Sequence, residues 1–223
     1  MPTYYKAVRP DGTSFHDPSF AWATEPGGVT THPSVGVNVD VVNCGASGYL
    51  SVSTVPTDCT GMRWPCRLLE VEPAKWDVFT PDAKALPNKR AALAFRTVRE
   101  LPAHEALGPN GEYVAALIGR CSRLTPDEAD RLDAAWDAAW DAAWDAAWAA
   151  ARDAVRAAAW DAGRNAAWYA ARDAAWAAAR NAAWALLVRD LIGDTFTQEH
   201  YDTLTMPWRT DIGPIHPDDA VVA

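Results

Sequence analysis

Residues 88–101 read NKRAALAFRTVREL, and the period assigned to this run decides the architecture of the first half of the chain. Ala92, Phe95, Val98 and Leu101 recur every three residues, which predicts a helix with one apolar stripe. A second stripe follows in 111–124, GEYVAALIGRCSRL, with Val114, Leu117, Ile118 and Cys121 at helical spacing. Upstream the period is two. TYYKAVRP (3–10) alternates and is rich in aromatic and β-branched residues, as a strand requires. Asp11-Gly12 then marks a turn. In 28–44, GVTTHPSVGVNVDVVNC, the valines Val35, Val37, Val39 and Val41 alternate and predict a strand or a strand pair. GYLSVSTV (48–55) and CRLLEVEP (66–73), the latter closed by Pro73, predict two more. The expected fold class is α+β: residues 1–124 form a small, largely antiparallel sheet domain with two helices packed on it.

Composition changes near Thr125. All four lysines (Lys6, Lys75, Lys84, Lys89) precede it, and Ala, Trp, Asp and Arg dominate afterwards. Thr125 can cap a helix, Pro126 suits its first position, and Asp127 and Glu128 favour the positive end of its dipole. Arg189 and Gly193 suit a helix end. Residues 125–193 therefore read as an alanine-rich helical region, and 194–223, with Pro207, Pro214 and Pro217, as a tail that is extended or disordered after a short helix.

Within the helical region Asp-Ala-Ala-Trp tetrads place Trp136, Trp140, Trp144, Trp148, Trp160, Trp168, Trp176 and Trp184 at multiples of four residues. A period of 4 on a 3.6-residue turn advances about 40° per tetrad, so the rings visit every side of a straight helix. Eight indoles at about 150–250 Å² each represent roughly 30–50 kcal/mol of gross burial as an upper bound. Repulsion between neighbouring aspartates is only about 0.2–0.5 kcal/mol per pair. Burial wins, so these rings are the expected interaction residues. They pack in a helical hairpin broken near Gly163 or in a bundle, against another copy of the chain, or against a host protein. Acids and no bases occupy 133–151, whereas six arginines run from Arg152 to Arg189, an asymmetry that suits antiparallel pairing.

The net charge of −9 argues against nucleic-acid backbone binding. No apolar run reaches membrane-spanning length, and no signal-peptide pattern opens the chain, so a cytoplasmic, non-membrane protein is expected. Cys44, Cys59, Cys66 and Cys121 form no CxxC pair and have no histidines at metal-ligand spacing. They read as reduced, partly buried thiols, and a Cys59–Cys66 disulfide is disfavoured in the cytoplasm. No metal and no cofactor are expected. His16, His32 and His104 each stand alone near turn residues.

Tyr5-Lys6-Ala7 on the first strand, the GYLSVSTVPTDC segment, Glu70-Val71-Glu72 and a helix ending Arg99-Glu100-Leu101 together resemble an uncharacterised family of phage and bacterial proteins. In that family a small N-terminal α+β domain precedes short tandem repeats. The resemblance spans about half of the chain and implies a phage or prophage gene rather than an activity. The chain departs from the pattern with Gly48-Tyr49-Leu50 where the family has a histidine, and with helix-like repeats. The same layout also resembles ADP-ribosyltransferases, which implies catalytic candidates: Lys6 or Arg9 on the first strand, Ser51, Ser53 and Thr54 on a later strand, and Glu70 or Glu72 to orient the nucleophile. The expectation is a non-enzymatic interaction or assembly protein acting on a host partner through the helical region. The alternative is a transferase with that region as its oligomeriser.

Overall fold

The computed structural model describes residues 2–33, 48–59, 61–75, 78–81, 83–139 and 196–221, together with Ala182, Ala185, Leu186 and Arg189. The valines at 35–41, Cys44 and Gly163 lie outside the described residues. So do the tetrad tryptophans from Trp140 onward, while Trp136 enters only as a backbone position. The chain divides into two compact units, Met1–Ala106 and Leu107–Ala223. This boundary precedes the composition change at Thr125.

The described residues form an α+β structure, and the first unit holds its six-stranded antiparallel sheet. Its strands are β1 (Tyr4–Val8), β2 (Val29–Thr31), β3 (Leu50–Ser53), β4 (Arg67–Lys75), β5 (Lys89–Ala92) and β6 (Ala94–Leu101), in the order β2-β6-β4-β1-β3-β5. β1, β3 and β4 fall where the sequence reads as strand. β4 runs through Pro73 to Lys75, with a register irregularity there that accommodates the missing N–H.

The expected helix over 88–101 is absent, and two strands take its place. Ala91, Ala92, Ala94 and Phe95 are all buried, so this run is covered on both faces instead of carrying one apolar stripe. β6 lies between β2 and β4, and β5 lies against β3. Tertiary pairing has overridden alanine's local preference for helix.

One consequence shapes the unit. Only Leu93 separates β5 from β6, yet these strands sit near opposite ends of the sheet order. Two residue steps span at most about 7 Å. The sheet must therefore curl until its two ends meet, as in a partly closed barrel. The enclosed core contains Tyr4, Val8, Trp22, Leu50, Val52, Leu69, Val71, Ala92 and Phe95. Tyr4 and Val8 point inward, and by the two-residue period so does Lys6 between them.

The second unit contains α1 (Gly111–Cys121), α2 (Pro126–Ala139) and α3 (Gln198–Asp211). α1 matches its predicted stripe, burying Val114, Leu117 and Cys121, but belongs to this unit and not to the sheet. α2 starts where its capping chemistry predicts. The Thr125 hydroxyl accepts from the Glu128 N–H at 3.3 Å, and the Glu128 carboxylate accepts from the Thr125 N–H at 2.9 Å. That backbone hydrogen bond, followed by the Arg120 contact, holds the Glu128 carboxyl down at about 2.

The C-terminal segment corrects the expectation of an extended tail after a short helix. α3 has 14 residues, is capped by Thr197 and His200, and continues past Pro207. It buries Tyr201, Leu204 and Trp208 and packs against α2, where Leu132 is fully buried. A 3-10 turn follows at Pro217–Val221. Asp219 closes it back onto α3, accepting from the Tyr201 hydroxyl (3.2 Å) and from the N–H groups of Ile215 (3.0 Å) and His216 (2.9 Å). No helix among the described residues is long and apolar enough to cross a membrane.

Candidate functional site

A cleft of about 180 Å³ opens in the first unit, lined by Lys6, Ser14, His16, Asp17, Trp22, His32, Tyr49 and Ser51 among others. The loop between β1 and β2 supplies one wall, and local hydrogen bonds set its path. Asp11 accepts from the N–H of Thr13 (2.9 Å), Asp17 accepts from that of Ser19 (2.9 Å), and the Ser14 N–H donates to the Phe20 carbonyl (2.8 Å). Gly12 holds the turn at φ +85, a conformation that favours glycine. Trp22 then lies stacked on Phe95 (6.3 Å between centroids) with Phe20 edge-on to it (6.5 Å). His16 is seated against Gly61, where a Cβ would fall 2.5 Å from its ring.

Lys6 is the unusual member. It is 7 % exposed, and its Nζ sits 5.0 Å from the centroid of the Trp22 ring. Among the described residues no carboxylate pairs with it and no acceptor bonds it. Burial pushes its pKa down to about 8, and the like charge of Lys89 adds to this; nearby Cys59 offsets part of the fall. Cys59 is itself held protonated, its thiol raised to about 12 chiefly by burial. Cation–π contact contributes about 2 kcal/mol at a desolvated site, less than a buried ammonium needs. Burial also lowers the pKa of His32.

Of the residues suggested by the transferase resemblance, the structure brings some together. Lys6, Ser51 and Ser53 line one small cavity with Tyr5, Val52 and Cys59. The glutamates are elsewhere. In the β1–β4 register Lys6 lies across from Leu69 and Tyr5 across from Glu70, so Glu70 projects to the other face from Lys6. Glu70 pairs with Arg99 (2.7 Å) and Glu72 with Arg96 (3.0 Å), while Arg67 pairs with Glu100 (2.6 Å), forming a partly exposed ladder of ion pairs. Arg9 donates to the Ser14 carbonyl (2.9 Å), and Thr54 meets Asn88 (3.2 Å).

Sequence reading missed that His16 and His32 share a cavity. They are far apart in the chain, and nothing in the spacing joins them. Among the described residues no group of His, Cys, Asp or Glu is placed to hold a metal. Cys59, Cys66 and Cys121 are buried free thiols.

No family model matches this chain, and no curated protein or solved structure is significantly similar to it.

Proposed function

We propose that the chain is a non-enzymatic interaction protein of phage type with two working parts. The sheet unit binds a small anionic molecule in the Lys6 cleft, and the tetrad region assembles copies of the chain or engages a host protein in the cytoplasm. The observation that carries the first part is the buried Lys6 ammonium without a described carboxylate partner. A buried charge without a partner is costly; Asp17, the carboxylate on the cleft wall, accepts from the Ser19 N–H and hydroxyl instead, so an entering anion would supply the counter-charge for Lys6. The Ser14 and Ser51 hydroxyls line the same cleft.

Titration calorimetry with lactate and with inorganic phosphate tests this. Binding should be lost in Lys6→Met, and in the native chain it should weaken as pH rises through about 8, where Lys6 loses its proton. Equal binding by the variant overturns the reading.

For the tetrad region the support is the sequence itself: the burial that eight indoles demand and the acid-then-base order of its halves. We read it as a helical hairpin or bundle turning near Gly163. Gly163→Ala then lowers stability by about 1 kcal/mol, because alanine tolerates a turn conformation poorly. In one uninterrupted helix the same substitution raises stability by about 1 kcal/mol. The sign read by calorimetry decides.

The transferase alternative retains one favourable observation, the shared cavity of Lys6, Ser51 and Ser53. It requires a glutamate on that side, and Glu70 and Glu72 are held by arginines in the external ladder. NAD consumption that disappears in Glu70→Ala or Glu72→Ala would establish it.

A further inference from the structure

The geometry points to Lys6 as a nucleophilic amine that captures a small α-oxo acid in its cleft as an imine. This inference rests on the cleft being a binding site and specifies the ligand's chemical class. Three observations carry it. The amine is buried on the inner side of a curled sheet, beside an indole face, with no described carboxylate to hold it as a permanent ion pair. It lines an open cleft, so a ligand can reach it. The cleft is small, about 180 Å³, which limits the ligand to a compact molecule.

An α-oxo acid suits both protonation states of this group. Its carboxylate is drawn by the ammonium form, and its adjacent carbonyl is open to attack by the free amine. In the step itself, the nitrogen lone pair bonds to the carbonyl carbon and the C=O π pair moves to oxygen. That oxygen takes up a proton while nitrogen loses one, giving a carbinolamine. A second proton converts the hydroxyl to leaving water, the nitrogen pair forms C=N, and the resulting iminium releases its remaining N–H proton, which returns the second proton. Amine and carbonyl become imine and water, with no net oxidation or reduction. Desolvation is a known route to an activated lysine nucleophile. With its pKa at about 8 instead of 10.5, Lys6 has roughly a 300-fold larger free-amine to ammonium ratio than an ordinary lysine.

The test incubates the full chain with pyruvate and cyanoborohydride near pH 7.5, then maps the adduct by peptide mass spectrometry. Calorimetry with pyruvate and with lactate, which lacks the carbonyl, runs beside it. The expected result is one saturable adduct at Lys6, formed at least tenfold faster than at Lys75, Lys84 or Lys89 and absent in Lys6→Met. If pyruvate and lactate bind alike through Lys6 and no selective adduct forms, covalent capture is wrong and the binding reading stands. If neither acid binds and no adduct forms, both are wrong.

Discussion

Lys6→Met should stabilise the chain by about 3 kcal/mol at pH 7 while abolishing anion binding. Lys6 has its folded-state pKa at about 8, against 10.5 for an ordinary lysine. A depression of that size corresponds to about 3 kcal/mol of unfavourable burial of the charged form. The sign follows from proton uptake. Between about 8 and 10.5 the unfolded chain binds more protons at this site than the folded chain, so the native protein gains stability as pH rises through that window. The penalty is complete below 8 and gone above 10.5. Methionine has a similar shape and no charge, and it escapes the penalty at every pH. The advantage of the variant should therefore be greatest at pH 7 and should vanish near pH 10.5. Urea unfolding of both proteins at several pH values measures this. A variant less stable than the native chain at pH 7 would mean that Lys6 has a stabilising partner, removing the basis for the cleft as an anion site. A gain in stability at the expense of binding is the usual signature of a group retained for function.

Asp219→Ala should destabilise the second unit by about 3 kcal/mol. Asp219 is buried, and its carboxylate accepts three hydrogen bonds, from the Tyr201 hydroxyl and from the backbone of Ile215 and His216. Its other oxygen lies 3.9 Å from Arg209 Nε. Truncation leaves several buried donors without an acceptor at about 1–3 kcal/mol for each fully desolvated group, although partial rehydration keeps the sum below the total. Asp219→Asn keeps an acceptor oxygen and should cost less than the alanine variant. The Tyr201 pKa is raised, first by burial and then by the Asp219 charge, so its phenol should titrate at lower pH in Asp219→Ala. Urea denaturation followed by tryptophan fluorescence reads the stability. An unchanged midpoint would restore the extended-tail expectation and remove the clamp on α3.

Local chemistry determined much of this protein. The aromatic, β-branched and apolar runs YYKAV, LSVS and RLLEV made β1, β3 and β4 legible as strands, although the fold buries adjacent residues such as Ala7 and Val8, or Leu68 and Leu69. Asp11-Gly12 set its turn, since glycine alone takes φ +85 without strain. The stripe Val114, Leu117 and Cys121 made α1 legible, and Thr125 with Glu128 marked the start of α2 through its first-turn donors. Tertiary structure decided the rest. A spacing of three in AALAF suits a helix stripe as well as a strand covered on both faces, and only pairing of β6 between β2 and β4 settles the matter. Pro207 reads as a helix breaker, yet α3 continues past it because Tyr201, Leu204 and Trp208 gain more from burial than one backbone hydrogen bond is worth. The cleft was invisible for the same kind of reason. Lys6 on a strand, Trp22 and His16 in a loop, and His32 beyond β2 become neighbours only when the sheet curls and closes around them. A two-residue period says that Lys6 and Glu70 are strand residues; the register across β1 and β4 puts one inside and the other outside.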